Sequence, residues 1–323
     1  MTAGTKSVVD AGGGPFKKRP RPGELLIRGF LFFCGAVSIA ITVGIMYELG
    51  KESFLFFGDE QVSIGQFLTT TIWQPQVGGF GIWPLILGTL YITLIAMVVA
   101  VPIGLASAIY LSEYASNRVR GFFKPVLEIL VGIPTVVYGF FALTFMTPLL
   151  RSMFGVNVVG FFNVLSAGIV VGVLIVPLIS SLAEDSLRAV PDSLRQAAYA
   201  LGASKLEVST RVVVPAALSG IAAGVVVAMS RAVGETMVVT LAAGASPRNF
   251  TLGEDSLFGY ILNPFQGAQA MTGYVAITAN GDLSYNTIDY NSIFAIGLTL
   301  FFMTLGLNSL SRRFVKRFQT VYE

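Results

Sequence analysis

Apolar residues dominate six stretches of this chain, and each stretch is long enough to cross a hydrocarbon core of about 30 Å, which takes about 20 helical residues. Polar segments rich in glycine, proline and charged residues separate them. The pattern predicts an all-α integral membrane protein with six transmembrane helices. The predicted spans are about 26–47, 83–111, 127–150, 162–182, 215–245 and 291–310.

Most of the 21 lysines and arginines fall near the N-terminus, after the second and fourth stretches, and near the C-terminus. Short cytoplasmic loops of membrane proteins retain positive charge. The distribution predicts two cytoplasmic termini, a cytoplasmic loop at about 184–214, and outward loops at about 50–82 and 246–290. In the first outward loop, Trp73 and its aromatic neighbours predict an amphipathic segment at the outer membrane interface.

The composition excludes several classes of function. Charged residues make up 12% of the chain, against about 25% in a soluble domain. The absence of histidine excludes histidine-based catalysis and the commonest transition-metal ligand. The single Cys34 excludes a disulfide within the chain, and no phosphate-binding loop of the form G-x-x-x-x-G-K-S/T is present for ATP hydrolysis. The net charge of +3 follows the membrane topology and does not favour nucleic-acid binding.

The first 24 residues are rich in glycine and basic residues. They are predicted to form a disordered, basic cytoplasmic tail rather than a secretory signal, with the transmembrane domain at 25–323. The basic run Lys17 to Arg21 suggests binding to anionic membrane lipid.

The stretch Gln196–Pro215, QAAYALGASKLEVSTRVVVP, is polar and lies between two apolar runs. Pro191 suits the first turn of a helix, and Gly202 suits a left-handed C-cap that ends it. Ser204 followed by Glu207 has the spacing of a capping box that begins a second helix. The pattern predicts a compact knob of two short helices on the cytoplasmic loop.

Two charges lie inside the fifth predicted span. Arg231 and Glu235 are four residues apart, so they are predicted to share one helix face and to pair. A charge at a span centre costs about 2.5–3.5 kcal/mol on insertion scales, and such residues usually face a protein-lined or water-filled interior. Arg231 either holds neighbouring helices through Glu235 or presents its guanidinium to an anion, with Glu235 and Thr236 beside the pathway.

The third predicted span contains Gly132-Ile-Pro134, which would break a helix. Backbone groups freed by such a break are tolerated only inside protein or beside a cavity. Pro134, Thr135 and Tyr138 are therefore candidates for a pathway wall or a hinge, and an ordinary proline kink is the alternative.

The cytoplasmic loop resembles the EAA loop of permease subunits from bacterial ABC importers. The resemblance rests on Ala197, Ala198, Val212, Gly202 and Pro215, with Gln196 in place of the usual Glu. In that family the loop docks into a cleft of the cytoplasmic ATPase.

Four further motifs resemble the PstC-type permease of phosphate importers, and the likeness extends over most of the chain from residue 25. They are FGIWPLILGTL at 80–90, GIPTVVYGFF at 132–141, RAVGETM at 231–237 and FAIGLTLF at 294–301. The resemblance implies a type I importer permease fold in the bacterial cytoplasmic membrane that passes phosphate by alternating access.

The same resemblance implies the partners. A second, PstA-like permease subunit, two copies of a PstB-like ATPase that bind ATP and Mg, and an external PstS-like phosphate-binding protein would complete the importer. No cofactor is expected in this chain, and either outward loop could contact the binding protein.

Three alternatives stay open. The chain could be the PstA-type subunit, or a permease of the same architecture for sulfate or molybdate. It could also be a secondary transporter or channel without an ATPase, although proton or sodium coupling would call for more intramembrane carboxylates than Glu235.

Overall fold

The structure, a computed structural model, describes residues 22–282, 284–285 and 287–317. Of the predicted tail, which spans residues 1–24, residues 1–21 lie outside the described residues. The chain forms two units, 1–48 and 49–323. In the first unit, an apolar helix begins at Pro22, and it ends in the second unit at Phe57.

The described residues are mainly helical, with one two-stranded antiparallel hairpin. In chain order the elements are α1 (Pro22–Phe57), α2 (Ile64–Thr69), β1 (Trp73–Gln74), β2 (Gly79–Phe80), α3 (Trp83–Ile109), α4 (Asn117–Gly132), α5 (Thr135–Phe141), α6 (Thr147–Phe154), α7 (Val164–Arg188), α8 (Asp192–Ala200), α9 (Lys205–Glu207), α10 (Val214–Ala216), α11 (Leu218–Val233), α12 (Met237–Ala242), α13 (Met271–Ala279) and α14 (Ile288–Arg317). Turns of π-helix occupy Tyr110–Tyr114, Ala142–Met146, Val208–Val213 and Leu257–Ile261.

Within these residues, five helices are long and apolar enough to cross a membrane, and a bent pair makes a sixth span. The five are Leu26–Phe57, Trp83–Tyr114, Thr135–Phe154, Val164–Arg188 and Ile288–Arg313. In the bent pair, Lys205–Ala216 and Leu218–Val233 meet at 69°. The predicted all-α class is confirmed, with six spans when the bent pair counts as one, and the largest differences from the predicted boundaries lie in the first, third and fifth spans.

The third span begins later than predicted. Helix α4 ends at Gly132, and Ile133 and Pro134 have extended backbone torsions. A residue before proline avoids the helical region, and proline offers no N–H to continue the helix. The predicted break at Gly132-Ile-Pro134 is therefore present, but the span predicted over 127–150 starts only at Thr135, because α4 is a separate amphipathic helix.

The fifth span is also discontinuous. It was predicted as one helix over 215–245, but it bends at Ala217 and stops at Val233. Residues 234–236 are not helical, and the short helix α12 follows. Polar groups freed at this break lie against α13, where the Thr272 hydroxyl donates to the Glu235 carbonyl oxygen at 2.8 Å.

Several aromatic residues of the 50–82 segment pack inside the protein. Trp73 of β1 is 1% exposed, and its ring lies edge-on to Tyr274 of α13 with 5.2 Å between the ring centroids. Phe67 of α2 packs on the other side of Trp73 at 6.3 Å. The tight hairpin thus turns Trp73 towards the protein core, whereas Phe54 of the same predicted segment is 81% exposed. The location of this segment at the membrane interface stays a prediction.

Helices α3 and α7 form the centre of the second unit. Their buried contact surface includes Ile92, Ala96, Val171 and Ile175. Gly168 permits this close approach, since a Cβ there would lie 2.6 Å from Cγ2 of Ile95.

We expect Gly168→Ala to destabilise the protein by about 1–3 kcal/mol, as overpacked cores are. Gly121→Ala is the matched control, because it adds the same methyl to a helix where no atom lies within 4 Å. Thermal unfolding of the detergent-solubilised protein measures the difference. Equal melting temperatures for the two variants would contradict the close α3–α7 packing.

Candidate translocation cavity and helical knob

Arg231 lies in the last turn of α11 and Glu235 lies beyond its end. The helix stops at Val233, and Gly234 is its C-cap. Residues four apart face each other only along a continuous helix. The predicted Arg231–Glu235 pair on one helix face was therefore wrong, and among the described residues the two side chains form no ion pair.

Both residues nevertheless line one cavity of about 430 Å³. Its other lining residues come from α4, α7 and α11 and from the break in the fifth span: Val131, Leu174, Leu178, Val227 and Gly234. Arg231 is exposed to this space, and no hydrogen bond or ion pair holds its guanidinium within the described residues. Within the part of the chain that the structure describes, the cavity thus combines mainly apolar walls with one carboxylate, Glu235, and one cationic group without a partner, Arg231.

Glu235 is 7% exposed and is held by local contacts. Its Oε1 accepts a hydrogen bond from the Val238 N–H at 3.4 Å, at the start of α12. A carboxylate is favoured there because the first N–H groups of a helix lack partners in the helix itself. Glu235 is therefore held at the edge of the Arg231 cavity by contacts that do not involve the Arg231 side chain.

The other predicted pathway residues are not among those that line this cavity. The Thr236 hydroxyl donates to the Gly234 carbonyl oxygen at 3.3 Å. Pro134 and Thr135 form the junction of α4 and α5, and the Tyr138 hydroxyl donates to the Leu130 carbonyl oxygen at 2.9 Å across that junction. A hinge at this junction stays a prediction.

The knob has the predicted two-helix form. Gly202 has φ +83°, and the capping box of Ser204 and Glu207 is present. Among the predicted docking residues, four are exposed (Gln196, Ala197, Gly202 and Pro215) and two are half-buried (Ala198 and Val212). The knob also exposes apolar side chains that sequence reasoning did not select, with Leu201 90% and Leu206 63% exposed.

Residues 100–320 match the model of the family described as "Binding-protein-dependent transport system inner membrane component". The match covers more than half of the chain, and it includes both the cavity and the knob. The chain belongs to this family. It is a permease subunit of an ABC importer and an integral component of the inner membrane.

Relatives that align with most of the chain support this assignment. The permease is 34% identical to the probable ABC transporter permease protein YqgH of Bacillus subtilis, over 87% of this chain and 86% of the relative. It is 32% identical to the phosphate transport system permease protein PstC of Mesorhizobium japonicum, over 89% and 86% of the two chains. The resemblance to PstC-type permeases is thereby confirmed.

Solved structures support the type I permease fold. A bacterial ABC transporter for import of the acidic polysaccharide alginate matches with a TM-score of 0.62 at 14% identity, covering 93% of this permease and all of that chain. The methionine transporter MetNI in an inward-facing form matches with a TM-score of 0.55 at 18% identity, over 77% and all of the respective chains. At these identities the likeness concerns the fold alone.

A buried carboxylate joins two helices of the permease near the knob. Glu184 of α7 is 1% exposed and lies 2.5 Å from Nε of Arg120 and 4.0 Å from Nζ of Lys124, both on α4. Lys124 also pairs with Asp185 at 3.3 Å. The contact joins residues about sixty positions apart, and no local sequence signal indicates it.

Arg248 organises the backbone of the loop between α12 and α13. Its guanidinium donates to the carbonyl oxygens of Tyr260, Ile261, Asn263 and Gly267. Burial lowers the pKa of Arg248 from its ordinary value, but arginine stays charged in proteins. Because backbone carbonyls take its donors, Arg248 stabilises the loop at one wall of a cavity of about 760 Å³.

Proposed function

We propose that this permease moves inorganic phosphate into the cytoplasm as one of two paired membrane subunits of an ATP-driven importer. The free guanidinium of Arg231 in the apolar cavity is the observation that carries the proposal. Several relatives are named phosphate transport system permease protein PstC, which favours phosphate and the PstC-type role over the PstA-type one.

The chemistry of the cavity suits a tetrahedral oxyanion. A guanidinium offers a rigid fork of N–H donors that can bind two oxygens of one anion. Leu174, Leu178 and Val227 surround it with apolar surface, which strengthens the attraction because the local dielectric is low. Phosphate would therefore bind at Arg231 without a second basic residue from this chain.

Glu235 gives the cavity a way to release the anion. Its buried carboxylate lies on the same cavity and repels an anion bound at Arg231. A small shift of the break at residues 234–236 would change the distance between the two charges. The bound anion would then be held in one conformation and released in the other, as alternating access requires.

The energy would come from partner subunits. We assign ATP and Mg binding to two copies of a PstB-like ATPase below the knobs, since this chain has no phosphate-binding loop. The exposed apolar side chains Leu201 and Leu206 support a docking role for the knob, because they would be buried in a cleft. A PstA-like subunit would complete the pathway, and a PstS-like protein would deliver phosphate from outside.

Uptake by the whole complex in vesicles tests the proposal. We expect ATP-dependent uptake of labelled phosphate that excess unlabelled phosphate suppresses and excess sulfate or molybdate leaves unchanged. Suppression by sulfate or molybdate would assign the permease to another oxyanion. Uptake by the purified chain alone, driven by an ion gradient, would instead support a secondary transporter.

A further inference from the structure

Arg195 occupies the centre of a contact between the knob and the membrane helices. It lies on α8, immediately before Gln196. Its guanidinium donates to the carbonyl oxygens of Leu187 at 2.8 Å and Val190 at 2.6 Å. The last carbonyls of a helix lack partners in the helix itself, so this contact attaches α8 to the C-terminal end of α7.

The same guanidinium forms two ion pairs of different kinds. Nη2 lies 3.0 Å from Oε1 of Glu113, whose side chain is 5% exposed. Nη1 lies 3.1 Å from Oδ1 of Asp192, whose side chain is 85% exposed. Removing one partner of a buried pair leaves an uncompensated charge, whereas an exposed pair contributes little. Glu113 is therefore the partner that matters.

Glu113 belongs to the π-helical turn Tyr110–Tyr114 that ends the second span. Single turns of π-helix occur often at functional sites. Through Arg195, the knob is thus joined to the ends of two spans, Trp83–Tyr114 and Val164–Arg188.

One of these spans leads directly to the translocation cavity. Leu174 and Leu178 of α7 line the cavity that contains Arg231. Leu178 lies nine residues before Leu187, roughly 14 Å along the helix at about 1.5 Å per residue. A displacement of α7 at Leu187 therefore reaches the cavity through a continuous helix.

We propose that the Arg195–Glu113 pair transmits the movement of the knob to the second and fourth spans. Arg195 acts as a positioning residue that couples ATP hydrolysis to the opening of the Arg231 cavity. The inference rests on the proposed function, because it takes the knob as the part that the ATPase moves. Packing of Val208, Val213 and Leu187 keeps the knob folded independently of the pair.

The first test compares uptake with hydrolysis in vesicles that hold the whole complex. We expect Glu113→Gln to lower phosphate uptake per ATP hydrolysed by about tenfold, within the usual range of coupling between sites. Asp192→Asn is the matched control, because it removes the exposed pair on the same arginine, and its ratio should equal that of the wild type. Arg195→Lys keeps a charge for Glu113 and should restore part of the ratio that Arg195→Gln loses.

The second test does not depend on the substrate. A Val227→Cys reporter in a Cys34→Ser background places a thiol in the cavity. Its labelling by a membrane-impermeant reagent should change when a non-hydrolysable ATP analogue binds the complex. Addition of Glu113→Gln should abolish that change, and addition of Asp192→Asn should preserve it, in complexes shown to be intact by size-exclusion chromatography.

The outcomes separate the two proposals. Wild-type labelling that responds to the ATP analogue without phosphate uptake would reject phosphate as the substrate and leave the coupling role supported. Glu113→Gln complexes with normal labelling changes and a normal uptake-to-hydrolysis ratio would overturn the coupling role.

Discussion

Replacement of Arg231 by Gln should lower phosphate uptake by about two orders of magnitude, the loss typical of removing one charge from a buried charged contact. Basal ATP hydrolysis and assembly of the complex should persist, because Arg231 has no protein partner among the described residues. Arg231→Lys should recover part of the uptake, since an ammonium keeps the charge but loses the planar fork. The measurement is the initial rate of labelled phosphate uptake in vesicles for the wild type, Arg231→Gln and Arg231→Lys.

The matched control is Arg118→Gln, which removes an exposed arginine outside the cavity. Its uptake should equal that of the wild type. Normal uptake by both Arg231 variants would show that Arg231 does not act on the anion. The selectivity of the importer would then have to reside in another subunit.

Substitution of Gly202 by Val should lower uptake per ATP hydrolysed by about tenfold, a typical size for coupling between sites. Gly202 has φ +83°, where an L side chain strains the backbone by about 1–2 kcal/mol. No atom lies within 4 Å of a Cβ built there, so the strain is purely conformational. Relief of this strain would shift the knob away from the position that the ATPase requires.

Gly202→Asn provides the matched control, because asparagine tolerates the left-handed conformation. It should retain most of the uptake, while both variants insert into the membrane and assemble normally. The ratio of transported phosphate to hydrolysed ATP, measured in the same vesicles, distinguishes them. Equal phosphate-to-ATP ratios for Gly202→Val and Gly202→Asn would mean that the left-handed turn at Gly202 plays no part in coupling.

Local signals accounted for the parts of the fold that were predicted correctly. Apolar stretches identify spans because the bilayer requires long apolar helices. The knob was predictable because Gly202 and the Ser204–Glu207 box act within a few residues of themselves. Neither feature depends on how distant segments pack.

Features that depend on distant contacts were missed. The stretch around Arg231 contains Gly234, but glycine is common in membrane helices and does not by itself indicate a break. At the break, the freed carbonyl of Glu235 accepts a hydrogen bond from Thr272, which belongs to a distant segment of the chain. Likewise, Arg195 and Glu113 are separated by 82 positions, and no sequence pattern relates them.

The two halves of the fifth span meet at Ala217 with a bend of 69°, so the span has the geometry of an angled lever that pivots at Ala217. Because of this bend, a force along the axis of Lys205–Ala216 acts mainly perpendicular to the axis of Leu218–Val233. Arg231 lies roughly 21 Å from Ala217 at about 1.5 Å per residue, so a tilt of about 5° moves its backbone by roughly 2 Å. A rotation of a few degrees at Ala217 is therefore enough to move Arg231 by more than half the length of a hydrogen bond.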